Sequence, residues 1–193
     1  QVWGVRPALV LVDFAAAYFV ENSPLFGGEG CVRARDSAAR LLAGARAAGV
    51  PIIFVRIAFR PDYADVPRNC DLYRAVAANQ AVAEGSWGAE FHEQLAPQPG
   101  EWIVTHNRVN AFYSSQLEGQ LTALGVGRLI VAGVATNSVV EHTVRHAADM
   151  GYEIVIAQDA CSCAPYAAHE ASLAAVANLA TLSVVDEIFP RKA

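Results

Sequence analysis

A chain of 193 residues, 54% hydrophobic and only 17% charged, can bury a large core and still cover an interface between copies. Its net charge of −5, with 14 scattered basic residues that are all Arg except Lys192, argues against nucleic acid as a partner. No apolar run approaches the ~18 residues of a membrane span, and no leader pattern is read at the start, so a cytoplasmic protein with no membrane partner is expected.

Apolar, β-branched runs alternate with helical stretches along the chain. Residues 8–13 (ALVLVD) read as a buried parallel strand. An Ala/Leu/Arg-rich helix over 32–48 follows; Gly49 stops it, and Pro51 leads into a strand over 52–55. Residues 60–98 are irregular, broken by Pro61, Pro67, Trp87-Gly88 and Pro97. Then come strand 101–105, helix 115–124, strand 128–132, helix 138–150, strand 153–157, helix 166–179 and a last strand near 181–185. This alternation predicts one α/β domain over 1–193, a three-layer α/β/α sandwich with a parallel, Rossmann-like sheet. Gly27-Gly28-Glu29-Gly30 lacks the spacing and the preceding strand of a nucleotide-binding loop, so no cofactor is expected there.

Ligands of such sheets sit beyond the carboxyl ends of the strands. Three segments converge there: Asp13-Phe14, His106-Asn107-Arg108 and Gly133–Val140. A carboxylate ending an apolar strand must be paired or hydrogen-bonded, which singles out Asp13; a capping Asp is the plainer alternative.

These segments, with Glu84-Gly-Ser-Trp-Gly-Ala-Glu90, Arg108-x-x-Ala-Phe112, Gly133-Val-Ala-Thr-Asn137, Asp159-Ala and His169-Glu, resemble the isochorismatase-like cysteine hydrolases. The N-carbamoylsarcosine amidohydrolase-like branch is the most similar in pattern. The resemblance implies a six-stranded parallel sheet, a dimer or tetramer, and an active site of Asp, Lys and nucleophilic Cys. It also implies an unusual cis peptide, falling on Val134–Ala135, that helps to build an oxyanion hole at a helix start. Carried over, the Asp is Asp13, the Lys position is His106 and the Cys position is Val139. A valine cannot act as a nucleophile.

Substitutes for the missing cysteine are weak. Ser138 sits one residue early, about 100° around a helix, and Ser138-Val-Val-Glu141 fits a capping box. Cys31, Cys70, Cys161 and Cys163 follow no zinc or redox spacing, and Cys161-Ser-Cys163 is C-x-C, so reduced structural thiols are expected. His142 and His146 have a metal-ligand spacing without a third ligand, and Arg56–Pro61 lacks the metal cluster of nicotinamidases, so no metal is expected. His92 falls in an acidic stretch read as exposed, and His169 is read as packing.

Asp13 and His106 remain as the acid–base pair, with a group titrating near neutrality. The isochorismatase branch also lacks the Cys and protonates a vinyl ether from its Asp, so chemistry without a nucleophile fits the scaffold. The leading expectation is a small-molecule enzyme acting on an enol ether, an enol or an activated amide. Backbone around Val134, Ala135, Thr136 and Asn137 would stabilise developing charge. Phe14, Tyr18, Trp87, Arg108, Phe112, Ser138 and Val139 are the expected pocket residues. A silent ligand-binding or partner subunit and an amidohydrolase with a relocated nucleophile stay open as alternatives.

Overall fold

The computed structural model describes residues 5–190, so Lys192 lies outside the described residues. Six strands, β1 (Pro7–Val12), β2 (Ile52–Ile57), β3 (Trp102–His106), β4 (Arg128–Val134), β5 (Glu153–Ser162) and β6 (Thr181–Ser183), form one sheet. All pairings are parallel, in the order β3-β2-β1-β4-β5-β6. The helices are α1 (Glu29–Ala47), α2 (Asp71–Ala78), α3 (Leu117–Ala123), α4 (Glu141–Asp149), α5 (Tyr166–Val176) and α6 (Val185–Ile188).

Period-2 alternation divides the strands between two cores. Ala8, Val10 and Val12 of β1 pack with Leu121 of α3, Val144 of α4 and Val176 of α5. Leu9 and Leu11 point the other way, onto Leu41, Leu42 and Ala45 of α1. With both faces covered, all six residues of β1 are buried, which is why it reads as a continuous apolar run. Helices therefore lie on both sides of the sheet.

The strand order reverses direction between β1 and β4, which makes that pair the switch point where ligands bind in open α/β sheets. The two backbones approach closely there. A Cβ added to Gly133 would stand 2.2 Å from Val12 Cγ2 and 2.4 Å from the Val12 carbonyl oxygen. Only glycine fits.

Several elements differ from expectation. The helix expected over 138–150 begins as a π-helical turn, Thr136–Val140, and continues as α4. Ser138 consequently sits inside the turn and caps nothing; the turn is preceded by Ala135, and Glu141 instead accepts from Ser172 Oγ (2.6 Å) and Arg145. β5 runs ten residues, beyond the five read from its apolar core, because it pairs again with Gly133 and Val134 past an irregularity in β4. Helices α2 and α6 were not anticipated. The excursion carrying α2 folds on its own cluster, in which Phe59, Tyr63, Val66, Tyr73 and Val82 pack together.

Candidate active site

Asp13 follows β1 directly. Its N–H donates to the Val55 carbonyl (2.9 Å), and its φ of 58° lies in the left-handed region that side-chain-bearing residues seldom adopt. Such backbone strain concentrates at sites where one side chain must be aimed. Asp13 is 4% exposed, and its Oδ1 lies 2.8 Å from Nε2 of His106, the last residue of β3. His106 reaches across the end of β2 to make this contact, opposite Ile57 in register.

The imidazole is fully enclosed. Its Nδ1 lies near the carbonyls of Arg108 and Asn110 without meeting hydrogen-bond geometry. Burial alone pulls the imidazole pKa down, but the charge and hydrogen bond of Asp13, with those two carbonyls, raise it above its ordinary value. The 2.8 Å contact places the two groups to pass a proton between them.

The peptide Val134–Ala135 is cis, at the position the resemblance implied. Beyond it, the N–H groups of Ser138 and Val140 both donate to the Ala135 carbonyl, at 3.2 and 3.4 Å. The turn is braced from α5. Thr136 Oγ1 lies 2.8 Å from His169 Nδ1, and Ser172 Oγ lies 3.2 Å from the Thr136 carbonyl. His169 therefore does more than fill space: it ties the turn to α5, with Tyr166 against its ring.

A cavity of about 370 Å³ opens at the switch point, within the usual size range of small-ligand sites. Asp13, Tyr18, Val134, Ala135, Asn137, Ser138 and Val139 all line it. A larger depression near Arg6, Pro51 and Phe189 lies at the amino ends of the strands, away from this chemistry.

The isochorismatase domain family matches residues 7–187. This chain belongs to the isochorismatase family. Among its relatives, ureidoacrylate amidohydrolase RutB of Azorhizobium caulinodans is 31% identical over 169 residues, covering 79% of this chain and 74% of that protein. Maleamate amidohydrolase of Pseudomonas putida is 30% identical over 181 residues, covering 89% and 82%. N-carbamoylsarcosine amidase of Thermoplasma acidophilum shares the fold, with a TM-score of 0.79 at 22% identity over 94% of this chain and 97% of that one.

Within this isochorismatase fold, four expected pocket side chains point elsewhere. Phe14 is buried in the α1-side core, stacked on Phe19. Phe112 lies on the opposite face, against His146 and Tyr152. Trp87 is 59% exposed and does not line the cavity. The Arg108 guanidinium folds back onto Asn107 and the Asp65 carbonyl. Thr136 turns its hydroxyl to His169 and does not reach the cavity. His106 does not line the cavity either; its contact with the cavity wall is through Asp13.

Other histidines also have clear neighbours. His142 Nδ1 donates to the Ser138 carbonyl (2.9 Å), and His146 is stacked on Phe112. His92 is part-buried rather than exposed: Arg35 lies 3.3 Å from it, and Phe19 meets its ring edge-on.

The cavity's other walls come from residues that sequence reasoning passed over. Phe59, Tyr73 and Val82 come from the irregular excursion, Phe26 and Cys31 from the α1 entrance, and Cys163 from the end of β5. The one available signal was strand-end position, which Cys163 satisfies. Burial, the neighbouring Cys163 and a weaker opposing bond from Ser162 leave the Cys31 thiol pushed up to about 11. Burial likewise pushes Cys161 up to about 12. Both stay protonated at neutral pH and are poor nucleophiles.

Proposed function

We propose that this chain is a hydrolase that acts on a small molecule through acid–base chemistry, without a covalent enzyme intermediate. The observation that carries the reading is the buried Asp13–His106 contact of 2.8 Å, with Asp13 on the cavity wall. Val139 lines the same cavity where the family resemblance places the nucleophile, and it offers only methyl groups. The named relatives are amidohydrolases, which favours hydrolysis over the other reactions open to such a pair.

Two reactions use the shared proton in balanced ways. With an enol ether, the shared proton passes from His106 Nε2 to the Asp13 carboxylate, and the Asp13 carboxyl so formed delivers it to the vinyl carbon. Water then adds to the oxocarbenium carbon and returns a proton to the couple. The hemiketal collapses to a carbonyl compound and an alcohol. With an activated amide, Asp13 takes the proton of attacking water, and the proton leaves with the amine as the C–N bond breaks. In the amide reaction, backbone of Val134–Asn137 would face the developing oxyanion, whereas in the enol-ether reaction the Asp13 carboxylate would face the oxocarbenium charge.

Ser138 also borders the cavity, which keeps a relocated nucleophile in contention. Mass-spectrometric turnover of small amides, ureas and vinyl ethers decides between the readings. The acid–base reading expects Asp13→Asn to abolish turnover, while Ser138→Ala and a Cys31→Ala/Cys163→Ala double variant keep it. Loss of turnover in either of the latter, with Asp13→Asn still active, sinks it. Thiol alkylation alone cannot discriminate, because a label on Cys31 or Cys163 would fill the cavity whatever the mechanism. Equal silence of wild type and Asp13→Asn across the panel would favour a ligand-binding subunit, one that pairs with a second copy or an active partner.

A further inference from the structure

Among the described residues, no Arg, Lys or His lines the cavity, and Asp13 is its only charged side chain. His106, behind Asp13, is the buried partner of that same carboxylate, so the pair presents no net positive charge whether or not the imidazole is protonated. Arg108, the one arginine beside the site in sequence, is held by Asn107 and the Asp65 carbonyl. Arg60 and Arg74, on the excursion that walls the cavity, are paired with Asp62 and Asp71.

Backbone donors of the turn supply dipoles and no counter-charge, and not all of them are available. Two N–H groups of the turn after Ala135, those of Ser138 and Val140, are already taken up by the Ala135 carbonyl. The Tyr18 phenol is kept protonated by burial and by the charge of Asp13, and the Cys31 thiol is neutral, so neither alters the charge. Apart from the Tyr73 hydroxyl, the residues that β2 and the excursion after it give to the cavity, with Leu25 and Val109, are hydrocarbon: Ile57, Phe59, Leu72, Val76 and Val82. A carboxylate placed there would lose its water without gaining a counter-ion and would face Asp13, a large penalty in a low-dielectric site.

We infer that the substrate is a neutral molecule, with one hydrolysable polar group at the Asp13 end and an apolar remainder against the Phe59–Val82–Val109 wall. This deepens the hydrolase reading and rests on it for the word substrate; the binding preference stands on the wall alone. It separates this chain from relatives whose names specify carboxylates, ureidoacrylate and maleamate.

The test is direct binding, by calorimetry or ligand-observed NMR, of 4-carboxycinnamamide and its methyl ester, with cinnamamide as the parent. The ester is the larger molecule, so size works against the expected result. The inference expects the ester and the parent to bind at least about 30-fold more tightly than the acid, roughly 2 kcal/mol at the tenfold-per-1.4 conversion. Leu72 lines the cavity yet is 51% exposed, so Leu72→Arg can place a cation at its rim without disturbing the core. That variant should narrow the acid–ester gap by tenfold or more, which also locates binding in this cavity. Equal or tighter binding of the acid by wild type overturns the inference, and so does failure of all three to bind. Turnover is scored separately. Ester binding without turnover of any neutral amide or vinyl ether would count against the catalytic reading while leaving the preference for neutral ligands intact.

Discussion

Asp13 combines three properties that seldom coincide in one residue: a left-handed backbone, near-complete burial and a place on a cavity wall. If it carries the proton, Asp13→Asn should lower kcat by about 10²- to 10⁴-fold, the range spanned by general acid–base groups. Steady-state kinetics on whichever substrate the screen yields checks this. His106 acts one step back, and its signature is in stability as well as rate. Its folded pKa is raised, so the stabilisation is complete below the unfolded value of ~6.5 and disappears as pH climbs through the folded value. Urea midpoints of wild type should therefore fall towards those of His106→Gln as pH rises above neutrality. A gap that stays constant or widens would show that the imidazole is not held protonated. At this scale the sequence was informative about position and poor about direction. Asp13 and His106 were legible because strand ends aim at the switch point. Phe14 and Phe112 lie next to the same strand ends or turns, yet their rings enter opposite cores, and nothing in the primary pattern fixes which way such a ring rotates.

At the scale of elements, the two central strands and the turn after β4 are interdependent. The missing side chain at Gly133 lets β1 and β4 run close enough for Asp13 and Ala135 to border one cavity. Gly133→Ala would force Val12 aside, its carbonyl included, and should destabilise the protein by about 2 kcal/mol or more. Chemical denaturation measures this, and a change below ~0.5 kcal/mol would mean that the strands can part freely. The turn itself is held by Thr136, His169, Ser172 and Glu141. That network was invisible in sequence, because Ser138-x-x-Glu141 mimics a cap and the partners sit about thirty residues away on α5. Long strands and helices were readable from period 2 and period 3.6. α2 and α6, at eight and four residues, carry too few turns for a period to register.

For the whole molecule, the parallel sheet and its two covered faces follow from alternation and right-handed crossover, both of which are written in the chain. The cavity's shape is not, because one wall belongs to the excursion between β2 and β3 with its separate small cluster. Fewer buried residues support that cluster than either main core, which makes it the natural place for local opening. Hydrogen exchange should show the amides of residues 60–90 exchanging well before those of β1, β4 and β5. A neutral ligand should slow that segment most, since Phe59, Tyr73 and Val82 would contact it. Uniform protection across the sheet, with residues 60–90 unchanged, would place the ligand elsewhere.

The enclosure of His106 has a practical consequence. A ring proton shielded from solvent and bonded to a carboxylate exchanges slowly, so it can give its own downfield resonance, apart from the protein envelope. Any molecule that settles against Asp13 must alter the electron density of that carboxylate, and the resonance would move with it. The protein therefore carries a built-in indicator of occupancy. With it, compound collections can be surveyed by one-dimensional spectra before a single product has been identified.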